Sequence, residues 1–209
     1  MPMFPLGSVL LPGAVLPLHV FEPRYRQLVI DCLADDSGGD PEFGVTLIER
    51  GWEVGGGDQR SDVGVTARMV QVDALGGGRY AVVAVGTRRF RVNAWLPDDP
   101  YPRADVADWP DVDADAEGLA AGVAALTERL RDVVALATRL GELPPRDPDD
   151  QLATISEDPS VASFNLAALA PIGPADRYRL LCAASPGDRL DLLAESLDDV
   201  EAMLRFRLG

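Results

Sequence analysis

The first 21 residues, Met1 to Phe21, carry no charged side chain. A run that apolar must be buried in protein or in lipid. Its length meets the requirement of a membrane-spanning helix. Pro2, Pro5, Pro12 and Pro17 argue against that, because each removes a backbone donor and clashes with the preceding turn. A secretory signal fits no better: the first basic residue is Arg24, and no small-residue cleavage pattern follows the apolar run. Leu16, Leu18 and Val20 alternate with Pro17, His19 and Phe21, the two-residue period of a strand. The stretch from Ala14 to Phe21 is therefore expected to be a buried strand, preceded by a shorter one over Phe4 to Leu6. Without a membrane segment or a leader, the chain is expected in the cytoplasm.

Composition narrows the chemistry. The 209 residues suffice for one large domain or two small ones. The net charge of −15 repels phosphate backbones, so no nucleic-acid partner is expected. All basic residues are arginine, which excludes a Walker A loop, a Schiff-base lysine and a Ser-Lys dyad. A GC-rich bacterial genome accounts for the missing lysine. Cys32 and Cys182 are far apart, and Cys32 falls on the apolar face of an expected helix, as a small buried hydrophobe. His19 is the only histidine, so no zinc pattern exists, and no metal or cofactor is expected.

After the opening strand, Pro23 suits a first helical position. Tyr25, Leu28, Val29, Cys32 and Leu33 then follow the spacing of one buried helical face. Glu42 to Glu49 reads as a strand, and Gly51 to Ser61 as a Gly-rich loop carrying Trp52. Val63 to Val72 reads as a strand whose parity changes at Val70, which predicts a bulge or burial on both faces. Gly76-Gly77-Gly78 marks a turn, and Arg79 to Val85 the returning partner strand, interrupted at Gly86-Thr87. Arg89, Phe90, Arg91 and Val92 alternate again, and Tyr101 to Trp109 is one more strand.

Beyond Asp115 the period changes. Leu119, Val123, Leu126, Leu130, Val133 and Leu140, with Ala137 filling the series, step by threes and fours along an amphipathic helix. Three further helices are expected to start at Asp158-Pro159, at Gly173-Pro174 and at Ser185-Pro186, with Ser185 as N-cap and Asp188 in a capping-box position. The last carries Leu190, Leu193, Leu197, Val200 and Leu204 at the same spacing, either packed within the chain or forming the seam of a homodimer. The expected fold class is α+β. Residues 1–110 form an antiparallel β pseudo-barrel of about six strands with one helix, and residues 116–209 a C-terminal helical bundle.

Four segments in order carry a family resemblance: FPLGSVLLPG, LPLHVFEPRYRQLV, DVGVTARMVQVDAL and GRYAVVAVGTRRFRV. They resemble the N-terminal substrate-binding domain of Lon proteases, and PADRYRLLCAASPGDRLDLLAESLDDVEAML is similar to the helices that follow there. The resemblance implies a PUA-like barrel followed by helices. A full Lon continues into an ATPase module and a Ser-Lys peptidase. This chain stops at Gly209 without a phosphate-binding loop or a lysine, so it is expected to be a stand-alone, non-catalytic protein. The implied partner is an unfolded or degron-bearing polypeptide, or another protein.

The candidate substrate contacts are Trp52, Phe21, Arg24, Tyr25, Met69 and Arg89. Each has a structural reading beside the functional one. Glu22 would cap the helix and Arg24 would pair with a carboxylate. Phe21 and Tyr25 would be core. Arg88, Arg89 and Arg91 would form a solvated strand face offset by carboxylates, or else the basic patch of a PUA-like RNA-binding module. Met69 and the tryptophans Trp95 and Trp109 would be core or seam, whereas Trp52 in its Gly-rich loop has no core to reach and is the leading peptide contact. No catalytic residue is expected: His19 lies inside a strand and no G-x-S-x-G motif occurs.

Overall fold

The computed structural model describes residues 1–35, 38–51, 57–144, 150 and 152–208. The chain divides into two compact units, Met1–Pro110 and Asp111–Gly209. No helix among the described residues is long and apolar enough to cross a membrane.

In the first unit, six strands form one sheet among the described residues: β1 (Met3–Leu6), β2 (Val15–Val20), β3 (Glu42–Arg50), β4 (Gln59–Leu75), β5 (Arg79–Leu96) and β6 (Arg103–Asp108). The spatial order is β1-β3-β4-β5-β2, with β6 also paired to β5. The sheet is mixed rather than antiparallel throughout, because β1 lies parallel to β3 with Phe4 opposite Val45. Nor does a full ladder close it. The start of β1 reaches β6 through one bridge, Pro2 to Arg103, reinforced where the Met3 N–H donates to the Pro102 carbonyl at 2.8 Å.

Two strand expectations are corrected. β5 runs uninterrupted through Gly86-Thr87; β4 and β5 absorb the irregularity as a register shift between the Val65–Arg89 and Ala67–Gly86 pairs. The parity change expected at Val70 is a second shift, between the Met69–Ala84 and Gln71–Val83 pairs. It leaves Met69 buried and Val70 exposed, as an unpaired bulge residue must be on a half-solvated sheet.

The second correction concerns the opening strand. β2 is not buried. Val15, Pro17 and His19 are exposed while Leu16 and Leu18 are half-buried and Val20 is buried. Among the described residues its one pairing partner is β5, so β2 is an edge strand and tolerates Pro17. The turn before it is held down at one point of β5: Gly13 N–H donates to the Gly86 carbonyl at 2.8 Å, and Gly86 N–H to the Ala14 carbonyl at 2.9 Å.

Helix α1 (Pro23–Ala34) starts at its proline and buries Tyr25, Leu28, Val29 and Cys32. Leu33, expected on the same face, is instead 51 % exposed in the last turn of the helix.

The second unit holds α2 (Leu119–Arg139), α3 (Pro159–Leu169), α4 (Pro174–Leu181) and α5 (Pro186–Leu208). The caps are local and legible. Asp158 accepts from the Ser160 and Val161 amides at 2.8 and 3.3 Å. Ser185 Oγ accepts from the Asp188 amide at 3.0 Å, the N-cap half of a capping box, and donates to the Asp188 carboxylate at 2.8 Å. α2 packs against α5, burying Leu126, Leu130, Val133, Leu193, Leu197 and Leu204. The leucine stripe of α5 is therefore buried within the chain. Arg129 of α2 fastens the pair through the Ala194 carbonyl at 3.2 Å, Glu201 at 3.5 Å and Asp198.

Candidate functional site

Strand register decides which side chains share a face. Across β2, β5 and β4, three rows line up: Val15–Val85–Arg68, Pro17–Val83–Gln71 and His19–Ala81–Asp73. Their opposite-parity neighbours Leu16, Leu18, Val82, Ala84 and Met69 point into the core, and Val82, Ala84 and Met69 are buried there. On the outer face Val15 is 65 % exposed, Pro17 is exposed, and Ala81, Val83 and Val85 are half-buried. Phe21 continues the outward parity of β2. It is 52 % exposed, with its ring 6.2 Å from that of His19. The result is a contiguous apolar strip on an open sheet face. Along β4 it is rimmed by polar residues held to one another: Arg68 pairs with Asp40 at 3.0 Å, and Gln71 donates to Asp73 at 2.6 Å. An apolar strip with a polar rim is the surface type that takes up polypeptide.

The FEPRY segment adjoins this strip in sequence and separates into an exposed part and a buried part. Phe21 is surface rather than core. Glu22 sits at the N-cap position of α1 but makes no side-chain cap; its carboxylate instead accepts from Arg24 Nε at 3.2 Å. The Arg24 guanidinium lies 4.4 Å over the Tyr25 ring, and Tyr25 stacks on Phe4 at 3.9 Å, 4 % exposed. Burial pushes the Tyr25 hydroxyl up to about 12, with Arg24 opposing and Glu22 and Asp58 adding to the rise. Tyr25 is thus a neutral core residue rather than a contact surface.

The remaining candidates are distributed elsewhere. Met69 is buried on the inner sheet face. Trp52 lies outside the described residues. Arg89 is 4 % exposed rather than solvated, its guanidinium 4.3 Å from the Trp109 ring, with Arg91 at 3.8 Å from the same ring. Arg88 is held by Glu42 at 2.8 Å and Asp108 at 3.1 Å. Carboxylates offset Arg88 and the Trp109 indole covers Arg89, whereas Arg91 stacks on the same ring and stays exposed. Trp95 is half-exposed beneath Arg60, whose guanidinium is 4.9 Å from the ring and is gripped by Asp58 and Asp98, each at 2.7 Å. Burial would raise the Asp58 carboxyl, but the Arg60 hydrogen bond and charge overcome it and hold Asp58 below its ordinary value.

A pocket of about 390 Å³ opens beside α1, lined by Asp31, Cys32, Asp35, Asp40, Glu42 and Tyr101. Its groups are engaged with each other. Tyr101 donates to Asp31 at 2.7 Å, and the Cys32 thiol to the Glu42 carbonyl at 3.3 Å. Burial pushes the thiol up to about 12, with Asp31 and Asp35 adding to it, so Cys32 is no nucleophile near neutral pH. Among the described residues no group of side chains is arranged to hold a metal ion.

Sequence reasoning missed Val15, Pro17, Val83 and Val85 as surface residues. The alternation in the opening strand carried their parity, but parity cannot tell a buried strand from an edge.

Comparison with known proteins bears on what such a surface does. The family model of the ATP-dependent protease La (LON) substrate-binding domain matches residues 1–199. Lon protease 2 of Sorangium cellulosum is 32 % identical over 214 residues, a match that takes in 100 % of this chain and 24 % of that protein. Lon protease 2 of Myxococcus xanthus is 34 % identical over 108 residues, 51 % of this chain and 13 % of that one. The chain therefore spans only a minor part of the length of these relatives. A Lon N-terminal domain protein from Xanthomonas campestris superimposes with a TM-score of 0.65 at 29 % identity, covering 93 % of this chain and 96 % of the other. The N-terminal domain of Mycobacterium avium complex Lon protease shares the fold, with a TM-score of 0.66 at 22 % identity. With its sequence matched from end to end of the sheet unit and through most of the helices, the chain belongs to the Lon substrate-binding domain family.

Proposed function

We propose that this protein is a non-catalytic recognition module that captures unfolded or degron-bearing polypeptide on the open face of β2 and β5. Family membership supports the Lon-like role, and the apolar strip of Val15, Pro17, Val83, Val85 and Phe21 is the observation that carries its location. In this reading the unit of residues 1–110, a PUA-like pseudo-barrel, does the recognition, and the helical unit of residues 116–209 is a separate scaffold. Glu22 and Arg24 form the polar border of the strip, and Arg24 contributes by orienting the segment that enters β2.

The energetics favour weak, broad capture. Apolar burial supplies roughly 25 cal/mol per Å², less the cost of association and of ordering a flexible chain. A single apolar segment on a strip of this size is then held with a Kd of about micromolar order. Such affinity suits a site that samples many polypeptides and retains those with several exposed segments. Binding of a fluorescent, permanently unfolded, carboxymethylated polypeptide, followed by anisotropy, tests the reading. Saturable binding that the native form of the same polypeptide does not compete supports it; no binding at protein concentrations of about 100 μM overturns it.

A further inference from the structure

β2 offers more than side chains. It ends the sheet path, and among the described residues its second edge carries no ladder. Which backbone groups face that edge follows from proline chemistry. An antiparallel ladder alternates residues that exchange hydrogen bonds with residues that do not. Gly86 N–H donates to the Ala14 carbonyl, so the bonded positions continue at Leu16, Leu18 and Val20. Pro17, with no N–H, falls at a non-bonded position, where it costs the β5 ladder nothing. The outward groups are then the N–H of Val15 and of His19 and the carbonyls of Val15, Pro17 and His19.

We propose that this edge takes up an extended polypeptide segment as an added strand, with Pro17 setting its register. The inference rests on the polypeptide-capture reading above and specifies how the segment is held. An added strand would pair with Val15 and His19 and find no donor between them, so the proline admits a segment in few registers and guards the edge against indiscriminate pairing. Every second side chain of the segment would extend the outer apolar strip of Val15 and Pro17. The occupant is therefore a segment with alternating β-branched apolar residues. The net charge of −15 selects basic rather than acidic flanks.

Backbone methylation tests this. The probe is a fluorescein-labelled peptide of alternating valine and threonine with two arginines at each end, in three forms: unmethylated, N-methylated at the valines, and N-methylated at the threonines. An added strand presents one set of N–H groups to β2 and the other to solvent. One methylated form should bind at least about tenfold more weakly and the other within about threefold of the parent. His19→Pro, which removes an outward donor and spares the β5 ladder, should weaken the parent similarly. If the parent binds and neither methylation matters, the added strand is wrong while capture by the apolar face stands. If the parent fails to bind while the carboxymethylated polypeptide binds, the added strand is overturned and capture stands; if neither binds, the capture reading falls and takes the added strand with it. If the free protein forms a dimer that His19→Pro dissociates, the edge belongs to a second copy of this chain and the proposal is overturned.

Discussion

Asp111, at the head of the helical unit, receives the guanidinium of Arg189 at 2.5 Å, with the arginine completely buried and the aspartate side chain 8 % exposed. Arg189 also donates to Ser163 Oγ at 2.5 Å and lies 3.4 Å over the Phe164 ring, while Ser160 donates to the second Asp111 oxygen at 2.6 Å. Residues 160, 163 and 164 share one face of α3, so the arginine ties the unit's first residue, α3 and the first turn of α5 together. Removing one partner of a buried pair leaves an uncompensated charge. Asp111→Ala should therefore destabilise the unit by about 3–5 kcal/mol. Replacing both, Asp111→Leu with Arg189→Met, should recover most of that loss. Urea denaturation of the single and double variants checks both halves.

The sheet unit should lose stability in alkali. Tyr25 has an ordinary value of 10.0 that rises to about 12 in the fold, chiefly through burial. The folded state holds the proton more tightly, so the stabilisation is complete below pH 10 and is lost as pH rises toward 12. Two units correspond to a loss on the order of 2–3 kcal/mol. Cys32, raised to about 12 by burial, begins the same decline near pH 9. Melting temperatures measured from pH 8 to 12 should fall steadily, and Tyr25→Phe should flatten the upper part of that fall. An unchanged slope in the phenylalanine variant would remove Tyr25 from the account.

Gly86 should tolerate no side chain. A Cβ there would lie 2.4 Å from the Leu11 carbonyl oxygen, which belongs to the backbone and cannot swing aside. The same glycine holds the turn before β2 through both of its backbone groups. Gly86→Ala should then displace that turn and cost about 1–3 kcal/mol or more, on the scale of an overpacked core. Amide exchange would locate the damage. Accelerated exchange at Gly13 and along β2, with α2 and α5 unaffected, is the expected pattern.

What could be read from residue order alone was what local chemistry decides. Pro23, Asp158 and Ser185 each start a helix because caps and ring geometry act within a few residues. Gly76-Gly77-Gly78 turns β4 into β5 for the same reason. Partners distant in sequence were harder. β1 lies parallel to β3, which no turn signal announces, and β5 passes through Gly86-Thr87 because β4 supplies a compensating shift. Local alternation makes Arg89 a solvated strand residue; the indole that covers it comes from Trp109, twenty places on. The candidate surface suffered most. The apolar strand places Phe21 and Val15 in a core, and only the sheet order shows that among the described residues β2 has one neighbour.

That sheet order yields the sharpest contrast between residues of one strand. Phe21 and Val15 face outward, so truncating them removes little packing, whereas Leu18 faces the buried Val82 row. Phe21→Ala should leave the melting temperature within about 2 °C of the parent and weaken binding of unfolded polypeptide by about 1–2 kcal/mol, roughly five- to thirtyfold. Val15→Asp should weaken it further, by placing an unpaired charge in the apolar strip. Leu18→Ala should do the reverse, lowering the melting temperature through lost core packing before it touches affinity. If Phe21→Ala instead lowers stability by several kcal/mol and binding is unchanged, the outer face is packing surface and the recognition site lies elsewhere on the chain.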